Sequence, residues 1–379
     1  MEFRIALAGG GTGGHVMPLI AIAREIKGRT PAARIRFIGP LPFGSDLFAA
    51  EEIEMARIVA GKIPRYLTPS LLTELIKIPV GFAMALWQLF TYMPDIVVGK
   101  GGYGMLPVAA VAWLYRIPVV IHESDAVAGL ATRIAARFAK LVLVSFPETK
   151  GLPKNVSVQV VGNPIRTTVT QGKRQRAQER FGLGLHPLVL VLGGSQGAEQ
   201  INDLLLRIAP ELLRDAEVIH QVGRAREDVF RRELAQVLEA YPGTEQLYHV
   251  YGFLNEEELE DAYAAATVTV SRAGAALIFE LAAVGMPTIL IPLETAAANH
   301  QYANAEYLLN AGMVLLLGGK ELTPNLLLDQ IRWLLQNADL RREFSEHFRA
   351  FARPDAAGMI AQLVLEYAQA NINKSTGRS

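Results

Sequence analysis

The chain has no cysteine, which excludes disulfides and thiolate-held metals and fits a reducing, cytosolic location. It has no net charge either: 37 Lys+Arg balance 37 Asp+Glu over 379 residues. No nucleic-acid partner is expected. The opening Met1-Glu2-Phe3 lacks a basic stretch followed by a long apolar core, so no signal peptide is expected. No Asp-x-Asp triplet occurs, and no Lys-Ser/Thr follows the first glycine cluster, so the phosphate loop of nucleoside triphosphatases is excluded. Disorder is excluded as well, because 51% of residues are hydrophobic and only 20% charged. The neutral total hides an asymmetry. Residues 1–165 hold 17 Lys+Arg and 11 Asp+Glu, and the remainder 20 and 26. A basic first half suits an anionic partner such as an acidic membrane surface, although chance asymmetry explains it equally.

Short β-branched runs alternate with longer helical patterns throughout. Strands are expected at Arg4–Ala8, Arg34–Ile38, Ile96–Val98, Val119–His122, Leu141–Val144 and Val158–Val161. After a linker at Val161–Arg166 they resume at Leu188–Leu192, Val218–Gln221, Leu247–Val250, Val268–Val270, Thr288–Ile291 and Val314–Leu317. Several are apolar on both faces, as in strands covered by helices on both sides. The fold class expected is α/β, with two doubly wound parallel sheets. The domains expected are 1–163 and 164–354, with a last helix at 355–370 that crosses back to the first.

Ile76 to Met93 is out of character, being nearly apolar all round and almost long enough to span a bilayer. Three readings stand: a buried helix, a helix lying on a membrane with Phe82, Trp87 and Phe90 inserted, or a span. Lys62, Arg65 and Lys77 lie nearby and would each add about 1 kcal/mol against an anionic surface.

The chemistry-bearing stretches begin with Gly9-Gly10-Gly11-Thr12-Gly13-Gly14-His15, set between a strand and a helix. There, free backbone N–H groups and a positive helix end can meet an anion. Gly9, Gly11 and Gly14 match a dinucleotide fingerprint, but the second strand ends Phe37-Ile38-Gly39-Pro40 and no acid precedes Asp46. The ribose-binding element of a nicotinamide site is therefore missing. His15 opens the helix, where the helix dipole favours the neutral, proton-accepting imidazole. The alternative is a capping or packing histidine. Gly99-Lys100-Gly101-Gly102-Tyr103-Gly104 and His122-Glu123-Ser124-Asp125 follow buried strands in the same half. All three loops belong to one edge of one sheet, where open α/β sheets bind ligands.

In the second half, Gly193-Gly194-Ser195-Gln196-Gly197 repeats the anion-site design. Ser271-Arg272-Ala273-Gly274 opens another helix, and Glu280 lies about one and a half turns into it. A carboxylate there can accept two hydrogen bonds from a ribose diol, or can simply complement the helix dipole. Asn299-His300-Gln301-Tyr302-Ala303-Asn304 offers amides for sugar hydroxyls or for ordinary caps.

In this order, Gly-Gly-Thr-Gly-Gly-His, Gly-Gly-Tyr, His-Glu-Ser-Asp…Gly-Leu, Gly-Asn-Pro-Ile-Arg, Gly-Gly-Ser-Gln-Gly, Ser-Arg-Ala-Gly…Glu and His-Gln…Asn-Ala span residues 9–305. The set resembles the MurG family of peptidoglycan glycosyltransferases. The resemblance implies a GT-B fold, in which two Rossmann-like domains face a cleft. It implies transfer of N-acetylglucosamine from UDP-N-acetylglucosamine to undecaprenyl-diphospho-muramyl-pentapeptide (lipid I), giving lipid II with inversion. It implies no cofactor and no required metal, and an enzyme peripheral to the cytoplasmic face of the cell membrane with room for contacts with other cell-wall enzymes. Gly10, Gly11, Thr12, Gly13, Gly14, Gly101, Gly102 and Tyr103 would hold the acceptor diphosphate. His15 would be a candidate general base, with Glu123 and Asp125 near the transferred sugar and alternative candidates for that role. Thr12, Gly13, Gly14 and Asp125 would also border the donor. Arg166 and Ser195 would meet the donor diphosphate, Glu280 the ribose, Phe253 with Leu254 the uracil, and Gln301 with Asn304 the sugar hydroxyls, and Ala275 would also border the donor. The 76–93 segment matches the family's membrane-facing patch. Two departures stand out: Ala276-Leu277 replace a hydroxyl or amide residue common in the family, and Asp125 stands where many members have Asn. A non-catalytic sugar-nucleotide module, a UDP-sugar epimerase of the same fold, and a transferase to another lipid-linked acceptor remain open.

Overall fold

A computed structural model describes residues 2–10, 13–40, 45–61, 71–166, 168–194, 197–293 and 299–376. The chain divides into two compact units, 1–165 with 353–379, and 166–352.

In unit 1, β1 (Arg4–Gly9), β2 (Arg34–Gly39), β3 (Glu54–Arg57), β4 (Ile96–Lys100), β5 (Val119–Glu123), β6 (Leu141–Val144) and β7 (Val158–Val160) form a parallel sheet in the order β3-β2-β1-β4-β5-β6-β7. Between them run α1 (Gly13–Arg29), α2 (Ser45–Ala50), α3 (Leu71–Tyr92), α4 (Met105–Leu114) and α5 (Leu130–Ala135). Strand alternation sends Ile5, Leu7, Val98 and Val120 to one face, where α1 contributes Val16, Leu19, Ala23 and Ile26. It sends Ala6, Ala8, Val97, Val119 and Ile121 to the other, against Met105, Val108 and Ala112 of α4. The strands are apolar in a continuous run because both faces are covered.

Unit 2 repeats the plan. Strands β8 (Leu188–Leu192), β9 (Glu217–Gln221), β10 (Tyr248–Tyr251), β11 (Val268–Ser271), β12 (Thr288–Leu290) and β13 (Leu315–Leu316) are ordered β10-β9-β8-β11-β12-β13, again parallel. Helices α6 (Arg174–Phe181), α7 (Glu199–Leu212), α8 (Glu227–Leu238), α9 (Glu256–Ala265), α10 (Ala275–Val284), α11 (His300–Asn310), α12 (Pro324–Gln336) and α13 (Ala338–Phe351) flank it. The last helix, α14 (Ala356–Thr376), belongs to unit 1. It buries Ile360, Ala361, Val364 and Ala368 in the same core as α1.

Each sheet reverses its winding beside its first strand, between β1 and β4 in unit 1 and between β8 and β11 in unit 2. Connections leave those neighbours toward opposite faces, so a crevice opens at the strand ends. Both glycine clusters sit there.

One strand escapes the sequence reading. β3 reads Glu-Met-Ala-Arg with no buried residue, an edge strand without apolar signal. Helix α3 turns Ala85, Leu89 and Tyr92 inward and exposes Leu75, Ile76, Ile78, Val80, Trp87 and Phe90. Phe82 is a correction to the proposed membrane set, because it is half-buried and packs against the α4 core. It lies three and seven residues before Ala85 and Leu89, on the helix's inner face. Gly81 marks a close approach. A Cβ there would lie 2.2 Å from the Val59 carbonyl oxygen, so only glycine lets α3 lie against that backbone.

Candidate functional site

The unit 1 site is built around the β1–β4 switch point. Gly102 holds φ +73°, and a Cβ on it would lie 2.6 Å from the Gly10 Cα. Two glycine backbones therefore meet where side chains have no room, so only glycine allows this close approach. The His15 ring closes over the contact. Its Nδ1 lies 3.0 Å from the point where a Gly10 Cβ would be, and its Nε2 3.1 Å from that of Gly101. Gly13 and Gly14 form the first turn of α1, with open space at Gly14, and Tyr103 is exposed beside Gly102. Gly11 and Thr12 lie outside the described residues.

His15 is held neutral, its pKa lowered to about 4. Burial is the main cause, the Lys100 cation adds to it, and the Glu123 charge opposes it. The sequence reading expected the same direction from the helix dipole; desolvation and a buried lysine do most of it.

Glu123 turns back onto its own loop. Its Oε1 accepts from the Ser124 and Asp125 backbone N–H groups at 2.9 and 3.2 Å, and its Oε2 from Gly129 N–H at 3.1 Å. A carboxylate that accepts from three amides of its own loop clips that loop. Asp125, held in the clipped turn, is half-buried.

Lys100 went unread as a site residue, yet it is the centre of a buried cluster. Its Nζ donates to His122 Nδ1 at 2.5 Å, to Ser124 Oγ, and to Asn163 Oδ1 at 3.2 Å. A lysine inside a glycine-rich loop reads as a solvent-facing cation. Its position continuing an all-buried strand, β4, was the available signal.

In unit 2, Gly194 and Gly197 both have positive φ around the β8–α7 turn. Gln221 braces that turn: its Nε2 donates to Gly194 O at 3.1 Å and its Oε1 accepts from Leu254 N–H at 3.0 Å. This ties the Phe253-Leu254 loop to the glycine turn. Phe253 has an exposed ring with the Arg224 guanidinium 4.8 Å from its centroid, while Leu254 is buried. Ser195 and Gln196 lie outside the described residues.

Arg166 and Glu280, assigned separate ligands from the sequence, hold each other. Arg166 Nε and Nη2 reach Glu280 Oε1 and Oε2 at 2.9 and 2.7 Å, and the Tyr263 hydroxyl donates to Oε2 at 3.1 Å. Burial works against the guanidinium's charge, but the hydrogen bonds and charge of Glu280 prevail, and the Arg166 pKa is raised. Burial, then the Glu280 charge, raises the Tyr263 pKa well above its usual value. Tyr263 and Arg166 lie 17 and 114 residues from Glu280, which is why the set escaped a local reading.

Ala275 opens α10, next to Gly274, as anticipated. Asn304 is a correction. It is fully buried, and its Nδ2 donates to the Ala273 carbonyl at 3.1 Å, so it fixes the turn before α10 instead of reaching solvent. Gln301 Oε1 accepts from Leu293 N–H at 2.9 Å, which likewise shapes a loop. No group of three or more His, Asp or Glu side chains suited to a metal occurs among the described residues.

Comparison with known proteins agrees with this layout. Residues 5–144 match the glycosyltransferase family 28 N-terminal domain, and residues 188–359 the family 28 C-terminal domain. The chain is 35% identical over 364 residues to the UDP-N-acetylglucosamine–N-acetylmuramyl-(pentapeptide) pyrophosphoryl-undecaprenol N-acetylglucosamine transferase of Caldanaerobacter subterraneus subsp. tengcongensis, covering 95% of this chain and 99% of that protein. It is 36% identical over 370 residues to the protein of that name from Anaeromyxobacter sp., covering 96% and 93%. The crystal structure of Acinetobacter baumannii MurG superposes with a TM-score of 0.73 at 26% identity, covering 96% of this chain and 99% of that one. A putative UDP-N-acetylglucosamine 2-epimerase from Listeria monocytogenes superposes with a TM-score of 0.69 at 11% identity, covering 100% and 98%, which shows a shared fold alone. The transferase reading stands over the epimerase reading. The chain is a glycosyltransferase of family 28 with the two-domain GT-B architecture, and it belongs to the MurG family.

Proposed function

We propose that this chain transfers N-acetylglucosamine from UDP-N-acetylglucosamine to a sugar hydroxyl of undecaprenyl-diphospho-muramyl-pentapeptide, with inversion at the anomeric carbon. The observation that carries the mechanism is the neutral His15 imidazole lying over the Gly10–Gly102 backbone contact. Unit 1 receives the acceptor, its diphosphate against the glycine backbones and the start of α1. His15 takes the proton of the attacking hydroxyl as the new C–O bond forms. The bond from the anomeric carbon to the UDP oxygen breaks in the same step, and UDP leaves with the electron pair. A positioned base of this kind contributes roughly 10²–10⁴-fold.

Unit 2 receives the donor. The Gly194–Gly197 turn with the N-termini of α7 and α10 offers backbone N–H groups to the leaving diphosphate, and the exposed Phe253 ring offers a face to the uracil. Glu280 and Arg166 serve the ribose and diphosphate once ligand shares or replaces their mutual bonds. Charge on the leaving group is met by these groups in place of a metal. Lipid-linked acceptor and exposed α3 together favour a peripheral enzyme on the cytoplasmic membrane face, where the nucleotide sugar is available.

Labelled UDP-N-acetylglucosamine incubated with a lipid I analogue tests the reading. Label is expected in the lipid product with inverted configuration, and in the presence of EDTA. His15→Ala is expected to lower kcat about 10²-fold or more while UDP affinity changes less than about twofold. A lipid fraction free of label would overturn the function; loss of transfer in EDTA would overturn its metal independence; near-normal kcat in His15→Ala would remove His15 as base.

A further inference from the structure

Under the unit 1 loops lies a charged cluster that the transfer step does not use. Lys100 is 1% exposed, and its ammonium has three N–H donors. Three acceptors meet them: His122 Nδ1, Ser124 Oγ and Asn163 Oδ1. The acceptors come from the end of β5, the turn after it and the segment after β7. Each is fixed in turn. His122 Nε2–H donates to the Gly162 carbonyl at 2.8 Å, which leaves Nδ1 as the acceptor for lysine. Ser124 Oγ donates to Asn163 Oδ1 at 2.9 Å, and the Ser145 hydroxyl lies within 3.2 Å of the Glu123 and Gly162 carbonyls. Val98 and Val120 face the layer made by α1 and α14. Two residues further along each strand, Lys100 and His122 continue that face toward the start of α1, where His15 sits.

Charge completes the argument. A buried ammonium is costly unless it is paired and hydrogen-bonded. Burial acts most strongly on Lys100 and lowers its pKa to about 7, while the Glu123 and Asp125 carboxylates oppose that fall by stabilising its charge. The carboxylate at 125 thus has a cation of this chain to answer it. The titratable groups that feel the lysine in return are His15 and His122, and its charge disfavours protonation of both.

We propose that Lys100 is a positioning residue for transfer: its ammonium locks the β4 end, the Ser124–Asp125 turn and Asn163 into one floor, on which the His15 imidazole is held as proton acceptor. The proposal rests on the transferase reading for its kinetic part only. The link from Lys100 to His15 is a property of the folded chain and is measured without substrate.

Lys100→Met keeps the length of the side chain and removes its charge and donors. Ser124→Ala keeps the charge and removes one anchor. Proton NMR titration of His15 in the full chain, with its resonance assigned by comparison with His15→Gln, is expected to show a higher midpoint in Lys100→Met and an unchanged one in Ser124→Ala. In transfer assays kcat is expected to fall about tenfold in Lys100→Met and about threefold in Ser124→Ala, with KM for UDP-N-acetylglucosamine within about twofold of wild type. The acid limb of the kcat profile is expected to move to higher pH in Lys100→Met only. A wild-type His15 midpoint in folded Lys100→Met overturns the proposal whatever the transfer assay gives. Should that variant fail to fold, unchanged kcat in Ser124→Ala overturns it. Wild-type enzyme without transfer activity overturns the transferase reading, and the titration still judges the lysine.

Discussion

At the scale of single residues, a carboxylate is read by what it already holds. Glu123 and Glu280 both looked like ligand groups in the sequence, Glu123 because it closes a buried strand and Glu280 because it lies early in a helix that opens at a sheet edge. The structure gives Glu123 to three amides of its own turn and Glu280 to Arg166 and Tyr263. Those partners are set by folding, and adjacency along the chain does not reveal them. For Glu123 the consequence is measurable. Glu123→Gln turns an NH2 group toward backbone donors and is expected to cost about 1–3 kcal/mol in urea unfolding. Any fall in kcat should follow the loosened turn. A large loss of kcat at wild-type stability would instead make Glu123 the proton acceptor. His15 was legible because its place, first turn of a helix after a glycine loop, is a local feature; Lys100 was not, because nothing local says that a lysine between glycines is buried.

At the scale of elements, apolar and β-branched runs announce strands, and twelve of the thirteen among the described residues were read within a few residues. β3 was missed because Glu54-Met55-Ala56-Arg57 carries no β-branched residue, whereas the equally exposed β7 reads Val-Gln-Val. Helix α3 was read as apolar all round, which is correct but leaves its orientation open. Packing resolves it. One stripe seals the α4 core, while Trp87 and Phe90 are 63% and 62% exposed. Trp113 and Leu114 at the end of α4 are exposed as well, as are Arg116 after it and Lys77 on α3. By length and composition Thr73–Tyr92 could cross a bilayer, yet it is fastened to the sheet through Ala85, Leu89 and Tyr92. Lysine residue Lys62 and Arg65, counted toward the basic surface from sequence, lie outside the described residues. A helix with one stripe in the core and aromatic residues outside supports the proposed interfacial binding. Trp87→Glu/Phe90→Glu is expected to lose most co-sedimentation with anionic vesicles while keeping wild-type UDP binding. Undiminished sedimentation would remove α3 as the contact.

At the scale of the molecule, buried histidines tie stability to pH. His220 is fully buried in unit 2, its Nδ1 2.8 Å from the Tyr248 hydroxyl, and burial lowers its pKa to about 3. His15 is lowered to about 4. Unfolded histidine titrates near 6.5, so below that pH the unfolded chain binds protons that the folded chain refuses. The stabilisation from neutral burial is complete above about pH 6.5 and is lost as pH falls toward the folded values. For His220 the slope is about 1.4 kcal/mol per pH unit. Urea midpoints measured from pH 7.5 to 4.5 are expected to fall on the acid side, less steeply by about one proton in His220→Gln. A slope identical in wild type and variant would show that His220 takes up its proton in the folded state.

The return of α14 to unit 1 has a consequence for synthesis. Unit 2 is one continuous stretch, 166–352, whereas unit 1 needs both 1–165 and 353–379. Growing chains ordinarily complete their domains from the amino terminus onward. Here the first half emerges with Val16, Leu19, Ala23 and Ile26 still lacking the partners Ile360, Ala361 and Val364. Unit 2 has every residue it needs before unit 1 does, so the half made first is the half finished last, and its open helix layer is the surface a ribosome-associated chaperone would meet.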